Sequence, residues 1–162
     1  MLLSIEVSLY CPRFVVMDVK DGKARILHMA MNDHLRESSM AQRNRTPIGE
    51  LLLEIAEKLE FILTAYPITN AVWSMRQLGV VNADAAKMAL GSILLTLAQH
   101  GVEADEMLRS RMQLLLTGKS KADAHMLQEQ RDQLLSLPPD AECYAGPALS
   151  AIAWLKAHQF LV

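Results

Sequence analysis

The chain has 162 residues, 51% apolar and 21% charged, and its 16 Lys+Arg against 18 Asp+Glu leave a formal net charge of −2. That length and apolar content build a folded core and exclude a disordered chain. The charge excludes a strongly basic nucleic-acid-coating protein but not a local basic patch, and 5% aromatic residues argue against a base-stacking platform for single strands.

Cys11 and Cys143 form no metal-ligand cluster, and spacing alone does not show whether they pair. The absence of a cysteine framework suits a reducing cytosol, so a cytoplasmic location is expected. The opening Met1-Leu2-Leu3-Ser4-Ile5-Glu6 lacks a basic stretch and is interrupted by Glu6, unlike a secretory signal. No apolar run approaches the ~20 residues needed to span a bilayer, and no membrane partner is expected.

In chain order, Leu2 to Val7 reads as a short apolar strand with an acid near its end. Arg13 to Val19 is rich in β-branched residues and reads as a second strand. Asp21-Gly22 is the strongest hairpin signal in the chain, and Ala24 to Met31 reads as the returning strand. Residues 32–46 are polar, carry His34, Arg36, Arg43 and Arg45, and read as a loop. Thr46-Pro47 reads as a helix start, with Thr46 as cap. Leu52, Ile55, Leu59 and Ile62 then recur at helical spacing until Pro67. A strand near 70–75 after that helix predicts a crossover to a parallel position.

Asn82-Ala83-Asp84 reads as the cap of a second helix with Met88, Leu90, Ile93, Leu94 and Leu97 as its apolar set, closed by Gly101. With Leu95 added, that set is more than one buried face requires, which predicts a homodimer. A short strand near 103–108 follows, weakened by its acids. Residues 109–117 fit strand or helix equally. The polar turn Gly118 to Asp123 leads into a helix through about Leu135, which Pro138-Pro139-Asp140 breaks. Gly146-Pro147 opens a last helix carrying Leu149, Ile152, Ala153 and Leu155. The predicted order is β-β-β-α-β-α-β-α-α. It gives an α/β fold with a mixed five-stranded sheet flanked by helices, as one domain over residues 1–162.

Four stretches, in order, resemble the RuvC-type Holliday junction resolvases, a family with the ribonuclease H-like fold. They are Leu2-Leu3-Ser4-Ile5-Glu6, the run Asn82 to Gly91, the turn and helix Leu116 to Met126, and the last helix Ala148 to His158. The resemblance covers almost the whole chain. It implies binding to branched DNA, a two-fold dimer and an endonuclease that holds Mg or Mn with four carboxylates. Glu6 stands where the first acid belongs. Met75, followed by Arg76, stands where the second acid should end its strand. Tyr144 and Pro147 stand where the last-helix acids should be. One carboxylate is too few for a hard dication, which prefers about six oxygen ligands. The resemblance therefore points to a resolvase-like protein with an eroded catalytic centre.

Glu6 is then either a surviving ligand or an acid paired with a nearby Arg or Lys. Asp140 and Glu142, and Asp18 beyond them, are the acids that a relocated nuclease centre would use. Lys119 and Lys121, in the turn matching the family's substrate-contacting turn, are DNA-contact candidates, as are Arg36, Arg43, Arg45 and Arg76. A solvated surface is the bland alternative for all of them. His28, His100, His125 and His158 show no ligand spacing. Two functions follow: a non-catalytic branched-DNA binder, or a protein-interaction scaffold, the latter favoured by the acidic run Glu103-Ala104-Asp105-Glu106. An active Mg- or Mn-dependent junction endonuclease is the third reading.

Overall fold

A computed structural model describes residues 1–31, 46–75, 83–134 and 139–161. Five strands form a single sheet: β1 (Leu2–Val7), β2 (Arg13–Lys20), β3 (Lys23–Met31), β4 (Asn70–Met75) and β5 (Glu103–Glu106), in the order β3-β2-β1-β4-β5. β1 pairs antiparallel with β2 and parallel with β4, and β4 pairs parallel with β5. The β2–β3 connection is the Asp21-Gly22 turn, with φ of 54° and 71° at its two residues. Two consecutive positive φ values match the twist of the flanking strands.

The helices are α1 (Ile48–Ala65), α2 (Ala83–Gln99), α3 (Arg109–Thr117), α4 (Ala124–Leu134) and α5 (Ala145–Ala157), with a 3-10 turn at Pro139–Tyr144 before α5. Strand periodicity decides which layer each helix covers, because alternate side chains point to opposite faces. Leu3, Ile5 and Val7 of β1 and Phe14 and Val16 of β2 join Leu51, Ile55, Leu59 and Ile62 of α1 and Ile93 and Leu97 of α2 in one core. Leu2, Val15, Met17 and Val72 point the other way, into a second core with Met112 and Leu116 of α3 and Ile152 of α5. No helix among the described residues is long and apolar enough to cross a membrane.

Several sequence expectations shift by a residue or two. Leu51 is the fully buried residue of the first turn of α1, with Leu52 half-buried against the same core, and Pro47, not Thr46, occupies the N-cap position, with no side-chain cap bond. β5 ends at Glu106, and Met107 turns into the second core. The ambiguous 109–117 segment is helix α3, because Met112 and Leu116 dock beneath α5 at helical spacing. The last helix begins at Ala145, ahead of Gly146-Pro147. Along α2, Ile93 and Leu97 are buried, but Met88 is exposed. Cys11 and Cys143 are free thiols. The Asn82 cap lies outside the described residues.

His28 of β3 makes ring contacts with Phe61 and Tyr66, the first in α1 and the second its C-cap. Burial, with a smaller contribution from the Lys58 charge, holds its pKa below the ordinary 6.5. The folded state therefore binds this proton more weakly than the unfolded chain. The stability contributed by neutral His28 is fully present above about pH 6.5 and is lost as pH falls toward its folded pKa. Denaturant unfolding at pH 7.5 and 5.0 is expected to show a smaller acid loss in His28→Gln than in the wild type. An identical loss in both would mean that His28 titrates equally in the two states.

Candidate functional site

The site is built from the strand ends. β1 and β4 are parallel neighbours in the register Glu6 to Ser74, and β1 and β2 are antiparallel with Glu6 opposite Arg13. Because the pleat alternates, Glu6, Arg13 and Ser74 share the face that carries α5. The residues that alternate with them, Ile5, Phe14 and Trp73, belong to the core on the other face.

α5 is fastened over this face by a buried hydrogen bond. The Ser4 hydroxyl donates to the Pro147 carbonyl at 2.7 Å. This sets the helix phase, and the residue that meets Glu6 is Gly146. A Cβ at Gly146 would lie 3.1 Å from Glu6 Oε1. Between strands and helices lies a cleft of about 400 Å3, whose polar lining is Glu6, Arg13, Ser74, Arg109 and Ser150. Its apolar lining is Met75, Met107, Met112, Leu127 and Leu149.

Arg13 Nη1 donates to Glu6 Oε2 at 2.5 Å, with both side chains 15% exposed. A guanidinium thus occupies one of the two carboxylate oxygens. Arg13 Nε is buried without a hydrogen-bond partner among the described residues. An orphaned buried donor costs about 1–3 kcal/mol, so the ion pair holds Arg13 here against a local penalty.

The sequence placed the missing acids at Met75, Tyr144 and Pro147. The structure places them as follows. The β4 residue in register with Glu6 is Ser74, with Met75 one step further along the cleft rim. On α5 the cleft is faced by Gly146 and Leu149, spaced i,i+3 on one side of the helix. Pro147 is buried and Tyr144 is the N-cap residue. α5 begins at Ala145. Glu6, Ser74, Gly146 and Leu149 line the cleft together. One carboxylate, one hydroxyl and two residues with no polar side chain do not fit a divalent metal, and the neighbouring guanidinium opposes one. Among the described residues no three of His, Cys, Asp or Glu gather as a metal site.

Two of the other candidate acids, Glu142 and Asp18, are paired elsewhere. Glu142 is 74% exposed and accepts from Arg131 Nη1 of α4 at 3.1 Å. Asp18 faces Arg25 across the β2–β3 hairpin at 3.5 Å. Asp140 lies in the 3-10 turn, and its side chain is outside the description. Lys119 and Lys121 are exposed in the turn between α3 and α4. Gly118, at φ 73°, ends α3, and Asp123 Oδ1 accepts from the Met126 N–H to start α4. Arg36, Arg43, Arg45 and Arg76 lie outside the described residues.

Sequence reasoning missed two cleft residues. Arg13 was visible only as the first residue of a strand, and its role needs the β1–β2 register. Arg109 sat in a segment whose helical state was open. Asp105, one of the acids of β5, accepts from Trp154 Nε1 at 2.7 Å and ties that strand to α5.

No family model and no curated protein matches the chain. Solved structures do. The chain is similar to Thermus thermophilus RuvC, with a TM-score of 0.79 and 17% identity over 98% of this chain and 95% of that one. It is similar to T. thermophilus RuvC in complex with a Holliday junction substrate, with a TM-score of 0.72 and 17% identity over 98% of this chain and 94% of that one. It is also similar to the yeast mitochondrial Holliday junction resolvase, with a TM-score of 0.64 and 10% identity over 98% of this chain and 79% of that one. Together with the mixed sheet and its helices, these likenesses show that the chain has the RuvC-like form of the ribonuclease H-like fold.

Proposed function

We propose that the chain is a single-domain, cytoplasmic protein that binds branched DNA as a homodimer and does not cut it through a two-metal centre. One observation carries this reading. The fold matches, over 98% of the chain, a RuvC solved with a Holliday junction substrate. Among the described residues the cleft is nevertheless lined by one carboxylate, already tied to Arg13. Metal-assisted cleavage needs a carboxylate cluster, whereas binding needs shape and phosphate contacts. Lys119 and Lys121 are assigned phosphate contacts in this reading. Arg36, Arg43, Arg45 and Arg76 are assigned the same role on sequence grounds.

A four-way junction presents equivalent strands, which suits a two-fold dimer. α2 leaves Met88 and Leu95, at i and i+7 on one side, 42% and 62% exposed, an apolar stripe available to a second copy. The scaffold reading retains support from β5, an edge strand with Glu103 and Glu106 exposed. An endonuclease using Mg or Mn would need Asp140 brought to Glu6, since Glu142 and Asp18 are paired away from the cleft.

Gel shifts with junction and duplex DNA, in EDTA, test the proposal. Junction affinity is expected to exceed duplex affinity by at least about tenfold, to fall with salt and to show two copies per junction. Manganese is expected to add no nicks. Equal, weak binding to both DNAs would favour the scaffold. Manganese-dependent nicking abolished by Glu6→Ala would restore the nuclease.

A further inference from the structure

We infer that Gln113 is a positioning residue for the turn between α3 and α4. Its buried amide braces the turn from inside, so that Lys119 and Lys121 meet phosphate on a backbone already ordered. This rests on the branched-DNA reading, in which those lysines are phosphate contacts, and assigns a role to a residue that itself touches no DNA.

Gln113 lies in α3 and is only 7% exposed, alongside the buried Met112 and Leu116. A side-chain amide at that depth is costly unless it is hydrogen-bonded. Its Nε2 donates to the Ala122 carbonyl at 3.2 Å, nine residues further along the chain. An apolar side chain of similar length would fill the same space without that desolvation cost, so packing alone does not call for glutamine here. What the amide adds is a link across the turn.

The main chain of the same residue holds the other end. Thr117 Oγ1 donates to the Gln113 carbonyl at 2.8 Å and accepts from the Lys119 N–H at 3.2 Å. Gly118, at φ 73°, directs the chain out of α3 between them. The stretch 119–121 is therefore fastened before Ser120 through Thr117 and after Lys121 through Ala122. Both fastenings lead back to Gln113, one to its carbonyl and one to its side chain.

Lys119 and Lys121 are exposed, and neither forms an ion pair among the described residues. Both ammonium groups are available to phosphate oxygens. Ordering a flexible backbone at the moment of contact opposes binding, and a turn ordered beforehand avoids that cost. Loosening the brace thus lowers DNA affinity without removing a DNA contact.

The test uses the full chain and Gln113→Met, which keeps the volume and removes the donor. Thr117→Val, which cuts the other fastening at a half-buried position, keeps the test usable if Gln113→Met fails to fold. Backbone 15N order parameters at Lys119 to Ala122 are expected to fall from about 0.85 in the wild type to below about 0.6 in either variant. Four-way junction binding in EDTA is expected to weaken about threefold to tenfold, and its log–log salt slope to flatten by about one. In a Lys119→Ala/Lys121→Ala background, Gln113→Met is expected to cause no further loss, because the brace then has nothing to present. Unchanged order parameters in both variants would overturn the positioning role. So would an equal affinity loss with and without the lysines, the mark of a merely structural residue. Junction binding undiminished by Lys119→Ala/Lys121→Ala removes the inference and leaves the branched-DNA reading standing. A wild type that does not prefer junctions removes that reading, while the order parameters still decide whether Gln113 holds the turn.

Discussion

Arg13→Met is expected to lower unfolding stability by about 2–3 kcal/mol, whereas Glu6→Gln/Arg13→Met is expected to lose less than about 1 kcal/mol. The asymmetry follows from burial. Both side chains are 15% exposed, so removing the guanidinium leaves Glu6 charged in a partly desolvated cleft, pressed against Gly146. Removing both charges leaves an amide and a thioether, which the apolar lining of the cleft accommodates. The double variant also removes the unpartnered Arg13 Nε. Urea unfolding of the two single variants and the double variant gives the coupling directly. Additive losses would mean that the ion pair contributes nothing beyond its separate side chains, and that something other than Arg13 keeps Glu6 in place.

Phe14→Ala is expected to cost more, about 3–5 kcal/mol. Phe14 is fully buried, sits opposite Ile5 on β1 and Ala30 on β3, and belongs to the core beneath α1 and α2. Strands on both sides hold its backbone, so the cavity cannot collapse easily. Typical domains are stable by only about 5–15 kcal/mol, so the loss is a large fraction of the total. A fall in melting temperature on the order of 10 °C is expected by calorimetry. The neighbouring Arg13 points to the opposite face, so Phe14→Leu, which keeps most of the volume, is expected to leave the Glu6–Arg13 bond intact. A loss below about 1 kcal/mol for Phe14→Ala would show that this core repacks freely.

Local chemistry determined much of this protein without help from tertiary structure. Asp21-Gly22 specified a hairpin because both residues tolerate positive φ. The strand at 70–75, coming after a helix, called for a parallel crossover, and β4 pairs parallel with β1. The acid near the end of the first strand, Glu6, was legible too, since it is a property of the local sequence. What the sequence left open were contacts between distant segments. The 109–117 segment became a helix only because Met112 and Leu116 had a face beneath α5 to cover. Glu6 met Arg13 through an antiparallel register that side-chain types alone do not set. Gly146 of α5 meets Glu6 because a helix turns 100° per residue and its first residue sets every later direction. Strand pairing and helix phase, both products of packing, decided which side chains share the cleft.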